Sequence, residues 1–206
     1  MRQIHGLYGI TVDNDLRVID NVTAALKGGC QIIQYRDKSR EASEKINIAL
    51  QLKSVCEQYD AVLIINDDVD LALACNADGV HVGKEDAAVQ QARAKLPNAI
   101  VGVSCYNQLD RALKAQENGA SYVAFGRFFS SKTKPDAVQA NPELLRVAKA
   151  QLSIPIVAIG GITMNNAESL IEAGADSIAV IQGLFVQNNI ESVAARFSKL
   201  FHDPDR

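Results

Sequence analysis

Short apolar segments recur at regular intervals along this chain, and polar residues suited to binding phosphate or metal ions follow them. Residues 62–65 lead into Asn66 and Asp67, and residues 154–159 lead into a pair of glycines. The other segments of this kind are residues 30–33, 78–82, 100–103, 122–125 and 177–180. Buried parallel strands that end in polar residues are typical of α/β barrels, whose active sites lie at the carboxyl ends of the strands.

Helical periodicity fills the stretches between these segments. Apolar residues at spacings of three and four predict helices over about residues 18–28, 42–58, 68–75, 86–95, 108–118, 141–151, 164–173 and 190–201. With a first strand over about residues 5–12, the chain holds eight strand-helix units and no gap for a second domain. The sequence therefore predicts one (β/α)8 TIM barrel over residues 1–206, with its active site at the carboxyl ends of the strands.

An open, doubly wound sheet is the competing architecture, because it uses the same strand-helix units. Such a sheet normally carries a Gly-x-Gly-x-x-Gly fingerprint after an early strand, and no such motif occurs here. The paired glycines, Gly160 and Gly161, instead follow the seventh predicted strand. Barrels often bind phosphate there together with the loop after the eighth strand, so the barrel is favoured.

Composition excludes several classes of partner. The net charge is −3, so no strongly basic face predicts nucleic-acid binding. No membrane span or export signal is visible, and the four cysteines lack metal-ligand spacing. We therefore expect a soluble, cytoplasmic protein with reduced thiols that acts on small molecules.

The polar residues after the early strands predict a specific chemistry. Arg36 and Lys38 can face one side of an extended stretch and bind phosphate oxygens. Asp67 and Asp86 end adjacent units, and carboxylates few in number suit Mg²⁺. Gln34, like Asn66, offers both a donor and an acceptor to a heterocycle. The predicted substrate is a diphosphate ester with a polar ring.

Simpler explanations exist for each residue taken alone. Asp67 and Asp86 could cap the following helices, and Lys134 could be a solvated loop charge. Arg36 and Lys38 could form a surface charge cluster. Helix capping does not explain why glutamine, arginine, lysine, asparagine and serine all follow successive strands, so we favour a shared site.

Motifs along nearly the whole chain carry a more specific signal. They are Leu7-Tyr8-Gly9-Ile10-Thr11, Gln34-Tyr35-Arg36-Asp37-Lys38, Ile65-Asn66-Asp67, Ala77-Asp78-Gly79-Val80-His81-Val82-Gly83, Thr133-Lys134 and Ala158-Ile159-Gly160-Gly161-Ile162. In this order the chain resembles the thiamine phosphate synthase family, also called thiamine-phosphate pyrophosphorylases, over about residues 5–200. The resemblance implies a transferase that joins hydroxymethylpyrimidine diphosphate to a thiazole phosphate and releases pyrophosphate.

The resemblance also implies a role for each matching residue. The metal ligands would be Asp67 and Asp86, holding Mg²⁺. The residues implied to bind the pyrimidine diphosphate are Gln34, Tyr35, Arg36, Asp37, Lys38, Asn66, Ser104 and Lys134, of which Arg36, Lys38, Ser104 and Lys134 would be catalytic. Those implied to bind the thiazole phosphate are Ser131, Lys132, Thr133, Gly161, Ile181 and Gln182.

The implied mechanism needs no side-chain nucleophile, because diphosphate would leave first and the thiazole nitrogen would capture a pyrimidine-methyl cation. Cys105 is accordingly expected to be a packed thiol, and His81 a residue that holds its neighbours by hydrogen bonds. Ser131 replaces a threonine of the family pattern and keeps its hydroxyl donor. Three further positions depart from the pattern: Tyr106 replaces a histidine, Arg127 a proline, and Gln182 a common serine. Their effect on the site stays open.

Two other functions remain as alternatives. One is a thiazole tautomerase-like isomerase of the same fold, and the other is a non-catalytic sensor of a phosphate ligand. The joint presence of Asn66, Asp67, Asp86, Ser104 and Lys134 favours the synthase. The form of the thiazole phosphate and the oligomeric state stay open.

Overall fold

Eight parallel strands form a closed barrel in the computed structural model of this chain. The structure describes residues 4–83, 86–130 and 138–201, and for residues 86 and 87 the description covers the backbone alone. Each strand pairs with the next along the chain, and β8 pairs with β1 to close the barrel. The strands are β1 (Gly6–Ile10), β2 (Ile32–Tyr35), β3 (Val62–Asn66), β4 (Gly79–Val82), β5 (Ile100–Tyr106), β6 (Tyr122–Phe125), β7 (Ile156–Ile159) and β8 (Ser177–Val180).

Helices follow the strands in alternation, as the apolar periodicity predicts. They are α1 (Val18–Lys27), α2 (Ala42–Gln58), α3 (Val69–Ala74), α4 (Asp86–Lys95), α5 (Leu109–Glu117), α6 (Glu143–Gln151), α7 (Ala167–Glu172), α8 (Gln182–Phe185) and α9 (Ile190–Lys199). The prediction of a (β/α)8 barrel is confirmed. The sequence reasoning missed α8, a helix of 4 residues, because one turn is too short to show helical periodicity.

The pleat of each strand sends side chains to two separate cores. In β2, Ile33 and Tyr35 pack against the surrounding helices, whereas Ile32 belongs to a second cluster inside the barrel. Gln34 shares the inward face and is 3% exposed. Because both faces of every strand are covered, the strands are mostly apolar, and most of their polar residues lie near the carboxyl ends.

Membrane insertion has no support from the helices. None of those in the described part of the chain is long and apolar enough to cross a bilayer.

Candidate active site

A cavity of about 140 Å³ opens at the carboxyl end of the barrel. All eight strands contribute lining residues, so the closed sheet itself positions the site. Five residues predicted from the sequence lie in this lining: Gln34, Arg36, Asn66, Ser104 and Ile181. The remaining wall is largely apolar, with Ile10, Ala124 and Val157 among its members.

A continuous chain of hydrogen bonds crosses the inner part of this cavity. Gln34 Nε2 donates to the Tyr8 hydroxyl at 2.7 Å, and that hydroxyl lies 2.8 Å from the Tyr122 hydroxyl. His81 lies between Tyr122 and Ser104, with Nδ1 2.9 Å from the phenol and Nε2 2.9 Å from Ser104 Oγ. The prediction that His81 holds its neighbours is confirmed, whereas the sequence reasoning did not assign Tyr8 and Tyr122 to the site.

The two phenols of the hydrogen-bonded chain, Tyr8 and Tyr122, are neutral. Burial is the main cause that raises the pKa of Tyr8 and of Tyr122 well above the usual value for tyrosine. Each hydroxyl therefore keeps its proton and can donate one hydrogen bond while it accepts others.

The loop after β2 is held by the loop after β1. Arg36 Nη1 donates to Asp13 Oδ2 at 2.6 Å, and the Lys38 backbone N–H donates to Asp13 Oδ1 at 3.0 Å. Thr11 Oγ1 accepts from the Arg36 backbone N–H at 2.9 Å and donates to the Arg36 carbonyl oxygen at 3.0 Å. These bonds fix the backbone that carries both cations. Asp13 belongs to no recognised motif, and the sequence reasoning missed it.

Asp37 lies in the same loop, but its carboxylate faces the protein. Its side chain is 0% exposed and forms an ion pair with Arg40. The two carboxylate oxygens also accept hydrogen bonds from the Asn14 N–H, from the Ser39 N–H and hydroxyl, and from the Arg40 N–H. Arg40 in turn donates to the Asp15 carbonyl oxygen at 2.8 Å, which ties the two loops together.

We expect Asp37→Asn to destabilise the protein in a pH-dependent way. Burial alone would raise the pKa of Asp37, but the hydrogen bonds from Ser39, Arg40 and Asn14 lower it from 3.8 to about 2. A lowered pKa contributes stability that is complete above the unfolded-state value and is lost as the pH falls through the folded-state value. Near neutral pH the variant should lose about 2 kcal/mol in the free energy of unfolding.

Urea denaturation at several pH values measures this effect. The stability difference between wild type and Asp37→Asn should shrink as the pH approaches 2. Asp20→Asn is the control, because Asp20 lies on α1 with a side chain that is 73% exposed. Parallel stability curves for wild type and Asp37→Asn would contradict the expectation.

Asp67 follows β3 in a backbone conformation that is unlike that of a helix N-cap. Its φ is 61°, in the left-handed region, and its carboxylate accepts a hydrogen bond from Asn66 Nδ2 at 2.9 Å. The helix cap belongs to Asp68, whose side chain accepts from the Leu71 N–H at 2.8 Å. Capping therefore does not explain Asp67, which is solvent-exposed.

The second predicted metal ligand, Asp86, is the first residue of α4, and its side chain lies outside the described residues. Among the side chains that are described, no three carboxylate, histidine or cysteine groups cluster to hold a metal ion. Magnesium usually takes one or two protein carboxylates and completes its shell with water and substrate phosphates. The donor chemistry of Asp67, an exposed carboxylate next to the cavity residue Asn66, fits that ion.

A second cavity, of about 220 Å³, adjoins the first on the side of β7 and β8. Gly161, Ile181 and Gln182 line it together with Ser130. Gly161 has φ +66°, and a Cβ atom there would lie 2.4 Å from the Ser130 carbonyl oxygen. Only glycine leaves this backbone free for close approach by a ligand. The predicted residues Ser131, Lys132, Thr133 and Lys134 lie outside the described residues.

Comparisons with known proteins identify the family. The family model described as thiamine monophosphate synthase matches residues 7–184. The chain belongs to this family. Thiamine-phosphate synthase of Nitrosospira multiformis is 49% identical over 97% of this chain and 87% of its own length, and that of Nitrosomonas eutropha is 48% identical over 97% and 95%. The solved thiamine phosphate pyrophosphorylase of Pyrococcus furiosus superposes with a TM-score of 0.88 at 35% identity, covering 96% of each chain. The family resemblance predicted from the sequence is confirmed.

Two departures from the family pattern lie in the main cavity. Tyr106 lines it with φ 55°, and the Arg111 guanidinium lies 5.8 Å from the centre of its ring. Arg127 lines the same cavity and adds a cation.

Cys105, by contrast, is fully buried, and burial raises its pKa to about 12. Cys105 is the packed thiol that the sequence predicts, because a thiol with this pKa is protonated near neutral pH.

Proposed function

We propose that the chain condenses hydroxymethylpyrimidine diphosphate with a thiazole phosphate, giving thiamine phosphate and pyrophosphate. The observation that carries this proposal is the convergence of Gln34, Asn66 and Ser104 in one cavity with Arg36. Amide and hydroxyl groups recognise a polar ring, and the guanidinium binds phosphate oxygens.

The pyrimidine ring would occupy the main cavity. Its flat apolar faces suit the wall formed by Ile10, Ala124 and Val157, and its polar edge suits the amides of Gln34 and Asn66. Few polar groups in an apolar pocket fix the orientation of a ligand, so this lining supports a heterocycle over a sugar.

The diphosphate would lie toward the loop after β2. Arg36 supplies a fork of donors and Lys38 a point charge, while Lys134 would approach from the loop after β6. Asp67 and Asp86 would hold Mg²⁺, which when bound neutralises charge on the departing diphosphate. Asp37, whose carboxylate is saturated by the protein, would keep the loop in place, and we propose no direct contact between its carboxylate and substrate.

The thiazole phosphate would bind in the second cavity, beside Gly161, Ile181 and Gln182, with Ser131, Lys132 and Thr133 contributing from the loop after β6. The two cavities share four residues in their walls, Ile159, Gly160, Ala179 and Ile181. This shared wall would bring the thiazole nitrogen next to the methylene carbon of the pyrimidine.

The chain's own residues then support a dissociative substitution. Arg36, Lys38 and Lys134 stabilise charge that grows on the leaving diphosphate, and the apolar wall excludes water from the pyrimidine-methyl cation. Neither Cys105 nor His81 is placed to form a covalent bond, because the thiol is buried and both imidazole nitrogens are hydrogen-bonded. The thiazole nitrogen remains as the nucleophile.

A pyrophosphate-release assay with both substrates over a Mg²⁺ titration tests the proposal. We expect pyrophosphate and thiamine phosphate in equal amounts, and neither when one substrate or the metal is omitted. Isomerisation of a thiazole without pyrophosphate would support the tautomerase, and binding of phosphate ligands without turnover would support the sensor. Either result would contradict the proposal.

We further propose a cytoplasmic location, because Cys30, Cys56, Cys75 and Cys105 are free and buried.

A further inference from the structure

The hydrogen-bonded chain inside the barrel joins two groups that face the ligand cavity. It runs from Gln34 on β2 through Tyr8 on β1, Tyr122 on β6 and His81 on β4 to Ser104 on β5. Each donor-acceptor distance lies between 2.7 and 2.9 Å, so every link is a well-formed hydrogen bond. The two end residues are thereby connected across the barrel.

Tyr122, the central residue of the hydrogen-bonded chain, is buried inside the barrel. Tyr122 is 0% exposed and lies in a cluster that is otherwise mostly aliphatic. A Cβ atom at Gly102 would lie 2.3 Å from the Tyr122 hydroxyl oxygen, so the absence of a side chain on β5 makes room for the phenol. A buried hydroxyl is costly unless it is hydrogen-bonded, and here both of its neighbours belong to the chain.

Each neutral phenol has one proton to donate, and with an uncharged imidazole two orders give every proton along the hydrogen-bonded chain an acceptor within it. In the first, Gln34 Nε2 donates to Tyr8, Tyr8 donates to Tyr122, and Tyr122 donates to His81 Nδ1. The imidazole proton then resides on Nε2 and is donated to Ser104, which leaves the Ser104 hydroxyl proton available to a ligand. In this order Gln34 presents its carbonyl oxygen to the cavity.

In the second order every donor and acceptor is exchanged. Ser104 donates to His81 Nε2, Nδ1–H donates to Tyr122, Tyr122 donates to Tyr8, and Tyr8 donates to the Gln34 carbonyl oxygen. Gln34 then presents its NH₂ group to the cavity, and the Ser104 proton is no longer available. The hydrogen-bonding character of the two ends is therefore linked.

We propose that Tyr8, Tyr122 and His81 are positioning residues that couple the amide orientation of Gln34 to the hydroxyl of Ser104. A ring that carries an amino group toward Gln34 selects the first order, which also gives Ser104 a proton to donate to the diphosphate. A ring with an oxo group at that position requires the second order and loses the Ser104 donor. The coupling thus selects an aminopyrimidine diphosphate over its oxo analogue, and this inference rests on the proposed function.

Tyr122→Phe tests the coupling, because it keeps the ring beside Gly102 and removes the hydroxyl that joins the two halves of the chain. We expect kcat/KM for the aminopyrimidine diphosphate to fall about 10-fold to 100-fold, because buried partners of the lost hydroxyl are left unsatisfied. The preference for the amino substrate over the oxo analogue should fall by about 10-fold or more, since the two orders are no longer enforced. A purely structural role would lower activity toward both substrates by the same factor.

A double-mutant cycle gives the second readout. Calorimetry would measure the affinity for the aminopyrimidine diphosphate of Gln34→Ala, Ser104→Ala and the double variant, in the wild-type and Tyr122→Phe backgrounds. We expect the affinity losses caused by Gln34→Ala and Ser104→Ala to be non-additive in the wild-type background and additive in the Tyr122→Phe background. Tyr59→Phe, in which an exposed hydroxyl outside the cavity is removed, should leave activity, preference and non-additivity unchanged.

The outcomes of these experiments separate failure of the coupling from failure of the proposed function. Should Tyr122→Phe fail to fold, Tyr8→Phe breaks the chain one link nearer Gln34 and carries the same expectation. An unchanged preference together with unchanged non-additivity would overturn the coupling. Binding of the aminopyrimidine diphosphate by wild type without turnover would overturn the proposed function and leave the affinity cycle to decide the coupling. A wild type that binds neither pyrimidine would overturn both.

Discussion

Asp67→Asn should lower kcat/KM for pyrophosphate release about 100-fold or more while leaving the fold intact. The substitution removes the anionic charge that would hold Mg²⁺ beside the diphosphate. Asparagine is the appropriate replacement, because Asp67 has φ 61° and asparagine tolerates the left-handed region better than alanine does. Raised Mg²⁺ should restore part of the activity. The measurement is pyrophosphate release over a Mg²⁺ titration, with a melting curve for each variant.

Asp68→Asn provides a matched control one residue away. Asp68 caps α3 through its hydrogen bond from Leu71, and asparagine is an equally good capping residue. This variant should keep both its melting temperature and its activity. If Asp67→Asn has wild-type activity, or if both variants lose activity equally, Asp67 is not a metal ligand.

The sequence predicts the barrel well because its signals are local and repeated. Each apolar segment is a strand, and polar residues follow because the strands end at the same rim. The predicted family is confirmed by the comparisons. The individual roles of Gln34, Arg36, Lys38 and the other site residues stay predictions, since each requires a ligand to test.

Residues inside the barrel are harder to predict. Both faces of a buried parallel strand are apolar, so alternation does not reveal that Tyr8 faces the interior while Leu7 faces the helices. Tyr122 becomes meaningful only when the closed sheet brings it beside His81, which is 41 positions away in the sequence. Pairing across a barrel depends on strand register, and the register is not encoded in any one motif.

Loop residues present a different difficulty. Asp37 stands between Arg36 and Lys38 and shares their motif, yet its side chain is 0% exposed and is bound by Arg40. Asp13 carries no motif, yet it contacts Arg36 directly. In an irregular loop, the direction of a side chain depends on backbone angles and on a neighbouring loop, which spacing along the sequence does not determine.

Arg36→Ala and Gly161→Ala should each weaken the binding of a different substrate. Arg36 lines the main cavity and offers its guanidinium to the pyrimidine diphosphate, whereas Gly161 lines the second cavity. Removing a charged hydrogen-bond partner should weaken binding of the pyrimidine diphosphate about 10-fold to 100-fold and spare the thiazole phosphate. The cost in stability should be small, because Asp13, the ion-pair partner, is 40% exposed.

Gly161→Ala should instead weaken binding of the thiazole phosphate and spare the pyrimidine diphosphate. The added Cβ would lie 2.4 Å from the Ser130 carbonyl oxygen on a backbone with φ +66°, so the chain around residues 129–130 and 161 must shift. That shift would move the wall that faces the thiazole phosphate while leaving Arg36 in place. Calorimetric titration of each variant with each substrate separately measures both effects, and melting curves exclude unfolding. Loss of the same ligand in both variants would show that the two phosphates do not have separate walls of the barrel mouth, even in an active synthase.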